Sequence, residues 1–263
     1  MAAREYAMIY DELNRLGIGY DTGRDDFDSS KPTLVMIHGA GGCSLNWQNQ
    51  TSPLKDSLNT LALDLPGHGQ TKGPAMNSIE QYAHWLGHLL ETQFPDPVYL
   101  MGHSMGGAIA QETALNQGKS LKGIILAATG PILKVAPFLL EGFDKNFEET
   151  VDMLSGFLYT ANADKNLVKD TAKIIKEQGA KTVLGDFSAC DLFDRRNDIS
   201  EISMPCLIIC GEEDKLTPPS LSKKIKERIE KSRLVVLPSA GHMVMMETPD
   251  LFNQSVLPFL KDN

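Results

Sequence analysis

The chain has 263 residues, 42% of them hydrophobic and 22% charged, with 34 Asp and Glu against 25 Lys and Arg for a formal net charge of −9. That length suits one α/β domain carrying an insertion, with a sizeable buried core. The acidic balance opposes nucleic acid and anionic lipid as partners, and no apolar stretch approaches the roughly 18 to 20 residues of a membrane span.

At the start, MAAREYAMIYDELNR mixes Arg4, Glu5, Asp11 and Glu12 with its apolar residues and lacks the uninterrupted apolar region of a signal peptide. Four cysteines (Cys43, Cys190, Cys206, Cys210) show no C-x-x-C or His-paired metal spacing and read as buried thiols. Both observations predict a cytoplasmic protein. Residues 6–10 and 16–21 are expected as an antiparallel hairpin at one sheet edge. Short apolar runs bounded by turn residues then recur at 34–37, 61–63, 98–101, 124–127, 206–209 and 234–237. Helix-length segments at 78–93, 107–117 and 219–231 alternate with them, which predicts a mostly parallel sheet with helices on both faces. Between about Pro131 and Asn197 no strand pattern appears, while Phe147, Val151, Leu154 and Leu158 recur at helical spacing. The expected organisation is a core of residues 1–130 and 198–263 with an inserted helical cap at 131–197.

The chemistry-bearing stretches lie at the ends of these runs. In YLMGHSMGGAIA, residues 99–110, Ser104 sits between two glycines with a strand pattern before it and a helix of small residues after it. G-x-S-x-G alone is a weak signal, but strand, tight turn and helix is the setting it requires. A serine hydroxyl needs a base, and His242 in LPSAGHMVMMETP follows the last predicted strand. Asp214 in CLIICGEEDKLTPP follows the preceding one, giving the order Ser, Asp, His; Glu212 and Glu213 compete with it as the acid that orients the imidazole. The glycine-rich turn of LVMIHGAGG, residues 34–42, can supply one oxyanion donor, chosen as the Ala40 N–H, beside that of Met105. A phosphate loop is disfavoured there because neither its lysine nor G-x-G-x-x-G is present. His84 and His88 have the spacing of a metal pair without a third ligand, so no metal and no cofactor are expected.

Taken together, HGAGG (38–42), DLPGHG (64–69), GHSMGG (102–107), GEED (211–214) and AGHMVMMETP (240–249) closely resemble the α/β-hydrolase superfamily, in its order and over nearly all the chain outside the cap. The resemblance implies an eight-stranded, mostly parallel sheet, Ser104, Asp214 and His242 as a catalytic triad, and the Ala40 and Met105 amides as the oxyanion hole. It gives 64–69 a structural role, with a catalytic His68 as the lesser alternative, and Thr71 stands where the family usually has serine. Trp47, Phe138, Phe143, Phe157, Tyr159, Phe187 and Met243 are candidates to line an apolar substrate pocket. The reading is a serine hydrolase of small carboxylic esters acting on a small-molecule substrate. Thioesterases, perhydrolases and carbon-carbon bond hydrolases have similar sequences, and a ligand-binding receptor retaining the triad is the alternative outside catalysis. Arg195 and Arg196 near the end of the cap are the residues a carbon-carbon hydrolase could use for a substrate carboxylate, while Trp47 and Trp85, the only tryptophans, are both remote in sequence from His242.

Overall fold

The computed structural model describes residues 9–263. Helix α1 (Ile9–Leu16) leads into strand β1 (Tyr20–Thr22), followed by β2 (Thr33–Ile37), α2 (Gln48–Leu54), β3 (Asn59–Leu63), α3 (Ile79–Gln93) and β4 (Val98–His103). Then come α4 (Met105–Gln117), β5 (Leu121–Ala127), and four consecutive helices, α5 (Pro137–Lys145), α6 (Phe147–Leu158), α7 (Lys165–Gln178) and α8 (Ala180–Leu192). The chain finishes with β6 (Cys206–Gly211), α9 (Pro219–Arg228), β7 (Ser232–Leu237), α10 (Val244–Glu247) and α11 (Pro249–Asp262). Among the described residues the sheet has seven strands in the order β1-β3-β2-β4-β5-β6-β7, parallel throughout except for β1.

Every residue of β2, β3, β4 and β6 is buried, as continuous apolar runs require when helices cover both faces of a sheet. Successive strand residues face opposite sides. Val35, Ile37, Leu100, Ile124 and Ile208 therefore pack with Leu86 and Leu90 of α3, Ile109 of α4 and Ile225 of α9. Leu34, Met36, Met101, Ile125 and Leu207 point the other way, into a core shared with Phe252 and Val256 of α11 and with Phe143, Leu154 and Val183 of the four helices between β5 and β6.

The amino-terminal edge differs from the expected hairpin. Ile9 and Leu13 lie four apart and are both buried, so this stretch packs as one face of α1. Only Tyr20–Thr22 forms a strand, antiparallel to β3 with Tyr20 opposite Leu63; residues 6–8 lie outside the described residues. Between β5 and β6 the four helices carry no strand, and a single antiparallel bridge from Ile132 to Asp194 closes their base.

Candidate active site

Ser104 occupies the junction of β4 and α4 with φ 52° and ψ −113°, a region that costs a non-glycine residue about 1–3 kcal/mol. The surroundings hold it there. Its N–H donates to the Ala127 carbonyl at 2.9 Å, and its carbonyl accepts from the Gly107 N–H and from Thr129 Oγ1, each at 2.9 Å. The flanking glycines are steric necessities: a Cβ on Gly102 would lie 2.0 Å from the Gly106 carbonyl oxygen, and one on Gly106 would lie 2.4 Å from that of Ile37.

His242 follows β7, and its Nδ1 lies 2.9 Å from Asp214 Oδ2, with both side chains buried. Asp214 follows β6 and is saturated with donors. Oδ1 accepts from the Leu216 and Thr217 N–H groups, both at 2.9 Å, and Oδ2 accepts from Thr217 Oγ1 at 2.8 Å. Burial pushes its pKa up, but the charge and hydrogen bond of His242 outweigh that and leave it below the usual carboxylate range. Glu212 and Glu213, the competing acids, are exposed.

The histidine loop is also held through its backbone. The N–H groups of His242 and Met243 both donate to the Leu158 carbonyl at the end of α6, at 2.9 and 3.1 Å. Glu247 accepts from the Gly241 N–H at 2.7 Å and from the Thr160 N–H at 2.8 Å, a second tie between this loop and the helical segment that follows β5. From the elbow side, His103 Nε2 donates to the His242 carbonyl at 3.0 Å. Burial, then the neighbouring His242, lowers the His103 pKa to about 3, so its ring is neutral.

The glycine-rich turn after β2 closes with the Gly42 N–H on the Gly39 carbonyl at 3.0 Å, and Gly41 takes φ +65°. His38 fixes its entry. Nδ1 donates to the Gly39 carbonyl at 2.8 Å while Nε2 accepts from the Leu65 N–H at 3.1 Å, which defines a neutral tautomer. Neither the Ala40 nor the Met105 N–H donates to a partner among the described residues. Two free amides at a helix N-terminus and an adjoining turn are the donor type that stabilises a developing oxyanion.

Two cavities meet at Ser104. The smaller, about 40 Å³, is walled by Ser104, His242, Ala40, Asn46, Met243 and Phe187 among others. The larger, about 550 Å³, is an apolar groove that shares Ser104, Ala40 and Phe187 and continues past Val135, Phe138 and Phe157. Phe138 and Phe157 are 57% and 47% exposed along this groove. Trp47, Phe143 and Tyr159 belong to neither wall. Trp47 packs against Phe252 and edge-on to His103, Phe143 packs tilted against Phe147 and Phe187, and the Tyr159 hydroxyl bonds Thr171 Oγ1 at 2.6 Å. Sequence reasoning passed over His38, His103, Thr217 and Glu247, although His38 and His103 stand beside the motif glycines.

A family model described as "Alpha/beta hydrolase family" matches residues 34–255. The chain belongs to the alpha/beta hydrolase family. This alpha/beta hydrolase is similar to a thermophilic esterase of known structure, 31% identical with a TM-score of 0.82 and 93% of each chain covered. It is 26% identical over 247 residues to the pimeloyl-[acyl-carrier protein] methyl ester esterase of Aeromonas hydrophila, covering 87% of this chain and 95% of that relative. An enol-lactonase from Burkholderia xenovorans LB400 shares the fold at 21% identity, with a TM-score of 0.85 over 93% of this chain and 96% of that one. Membership and likenesses together support hydrolysis as the class of reaction.

Proposed function

We propose that this alpha/beta hydrolase cleaves esters of small alcohols with apolar carboxylic acids through an acyl-enzyme on Ser104, with residues 131–197 acting as a cap over the site. The observation that carries the reading is that His242, paired with the buried Asp214, shares one cavity wall with a serine held at φ 52°. His242 Nε2 takes the Ser104 proton as Oγ attacks the ester carbonyl, and the Ala40 and Met105 amides stabilise the resulting oxyanion. Asp214 holds Nδ1–H and stabilises the imidazolium. The imidazolium then protonates the departing alkoxide, and water, activated by the same histidine, releases the acid and restores Ser104.

The leaving group must lie within reach of His242, which lines the 40 Å³ cavity, a space for about three water-sized groups. The acyl chain then takes the 550 Å³ groove. The name of the Aeromonas relative, a methyl ester esterase, agrees with this partition. Carbon-carbon cleavage is disfavoured because both candidate arginines are committed elsewhere. Arg195 pairs with Glu112 at 2.6 Å and Glu80 at 2.8 Å, and Arg196 pairs with Asp194 at 2.6 Å. Neither lines either cavity.

Purified protein should release acid from methyl hexanoate in a pH-stat and take up a fluorophosphonate on Ser104 by intact mass, and Ser104→Ala should lose both. Absence of hydrolysis across methyl esters of two to ten carbons, or labelling that survives Ser104→Ala, overturns the reading.

A further inference from the structure

A second buried carboxylate lies outside the Ser104 chemistry. Asp186, on α8, is wholly buried. Its Oδ2 accepts from the Gly41 N–H at 2.8 Å and from His68 Nε2 at 2.8 Å, and its Oδ1 accepts from the Tyr82 hydroxyl at 3.1 Å. One side chain of the insertion thereby receives donors from the turn after β2, from the 64–69 loop and from α3.

The state of His68 follows from its two neighbours. Nδ1 lies 3.1 Å from the Pro66 carbonyl oxygen, and Nε2 lies 2.8 Å from the Asp186 carboxylate. The Pro66 oxygen can only accept, and Asp186 Oδ2 already accepts from Gly41 while facing Nε2, so these contacts call for hydrogen on both ring nitrogens, the imidazolium form. Burial opposes that charge, but the Asp186 hydrogen bond and charge overcome it and set the His68 pKa above its usual 6.5. The other groups facing the pair are Asp64, which also favours the cation, His38, Tyr82 and Cys190. Burial, followed by repulsion from His68, lowers His38 to about 3, while burial raises Tyr82 and Cys190, so all three are neutral at pH 7. Asp64 is occupied by the Ser44 and Gln70 N–H groups, at 2.6 and 2.7 Å.

The Gly41 N–H belongs to the Ala40–Gly41 peptide, so accepting from it fixes the plane adjoining the free Ala40 N–H. We propose that Asp186 is a positioning residue for the oxyanion turn, held by a buried pair with protonated His68, and that loss of one His68 proton, which can leave Nε2–H on Asp186 but strips the buried carboxylate of its countercharge, loosens the turn and lowers kcat without weakening substrate binding. The catalytic part rests on the ester-hydrolase reading. The sign is that of a raised cationic group: the pinning is complete below pH 6.5 and is lost as pH rises through the folded pKa of His68.

The test combines ring-¹⁵N histidine NMR, Gly41 amide exchange, and kcat and KM for methyl hexanoate from pH 5 to 10. In the wild type, His68 should hold both ring protons at acidic pH and release one with a midpoint above 6.5, with an alkaline fall in kcat at the same pH. Asp186→Asn should bring that titration below 6.5, speed Gly41 exchange at least about tenfold, and remove the alkaline fall. Its kcat should drop about ten- to a hundredfold with KM within about threefold. Tyr82→Phe, which spares both Oδ2 contacts, should keep the alkaline fall. A wild-type His68 that titrates at or below 6.5, a kcat fall at a different pH, or Asp186→Asn with wild-type exchange and profile overturns the proposal. The wild-type arms decide even where Asp186→Asn fails to fold. Wild-type protein that hydrolyses no ester removes the ester reading alone, and the His68 titration with Gly41 exchange still decides whether Asp186 pins the turn.

Discussion

Replacing Asp214 by Asn tests the acid at its least ambiguous point. The wild-type carboxylate accepts four hydrogen bonds, two backbone N–H groups on Oδ1 and the Thr217 hydroxyl and His242 Nδ1 on Oδ2. An amide has one accepting oxygen. Keeping that oxygen on the two backbone donors, both fixed at 2.9 Å, turns the NH₂ toward His242. Nδ1 must then accept, so the ring proton moves to Nε2, the nitrogen that takes the Ser104 proton in the proposed mechanism, and the ring cannot serve as that base. A wrong-tautomer histidine costs about 10⁴ in kcat, or about 5.4 kcal/mol of barrier at 1.36 kcal/mol per decade. The assay is steady-state hydrolysis of methyl hexanoate, with circular dichroism to establish folding and KM expected within about threefold because Asp214 lines neither cavity. Folded Asp214→Asn within tenfold of wild-type kcat, or equal losses from Glu212→Gln and Glu213→Gln, would refute the tautomer argument.

The low pKa of Asp214 gives a stability contribution that is present above 3.8 and lost as pH falls through the folded value. The difference in urea stability between wild type and Asp214→Asn should therefore shrink below that pH, and a constant difference would contradict the assignment. Gly106→Ala sets a methyl 2.4 Å from the Ile37 carbonyl oxygen and 2.6 Å from that of His38. Neither backbone oxygen can move aside cheaply, so calorimetry should show a Tm loss of about 4 °C or more; an unchanged Tm would mean the elbow is looser than described. Phe138→Ala, at an exposed groove position, should leave stability within about 0.5 kcal/mol. It should lower kcat/KM about three- to tenfold for methyl octanoate while sparing methyl acetate; equal effects on both esters would place the acyl chain elsewhere.

The sheet was legible because its buried strands are uninterrupted apolar runs. The six runs expected from the sequence overlap β2 to β7, and the Ser104, Asp214 and His242 positions follow from where those runs stop. The start was misread because the short α1 buries only Ile9 and Leu13, a pattern that alternation can imitate over so few residues. Aromatic character did not distinguish wall from interior. Trp47 and Phe143 are fully buried and Tyr159 nearly so, whereas Phe138 and Phe157 face the groove, and nothing in helical spacing separates the two groups. The Asp186–His68 pair joins residues 118 apart, and no motif announces it. What was visible was only a histidine within DLPGHG that the chemistry at Ser104 left unused.

The Leu158 carbonyl that receives the His242 and Met243 amides has a consequence for exchanging parts among relatives. The segment between β5 and β6 has the outline of a module, entered and left beside one short bridge from Ile132 to Asp194. Its last carbonyl on α6 is nonetheless part of the scaffold of the histidine loop, and Glu247 answers it from the other side of the boundary. A chimera that imports a foreign segment must reproduce an acceptor at that point and a donor at Thr160. Otherwise it inherits a new substrate groove together with a histidine loop that keeps its ties to His103 and Asp214 but lacks the Leu158 and Thr160 ones, so transplanting specificity in this chain requires keeping 158–160 or redesigning 241–247 with it.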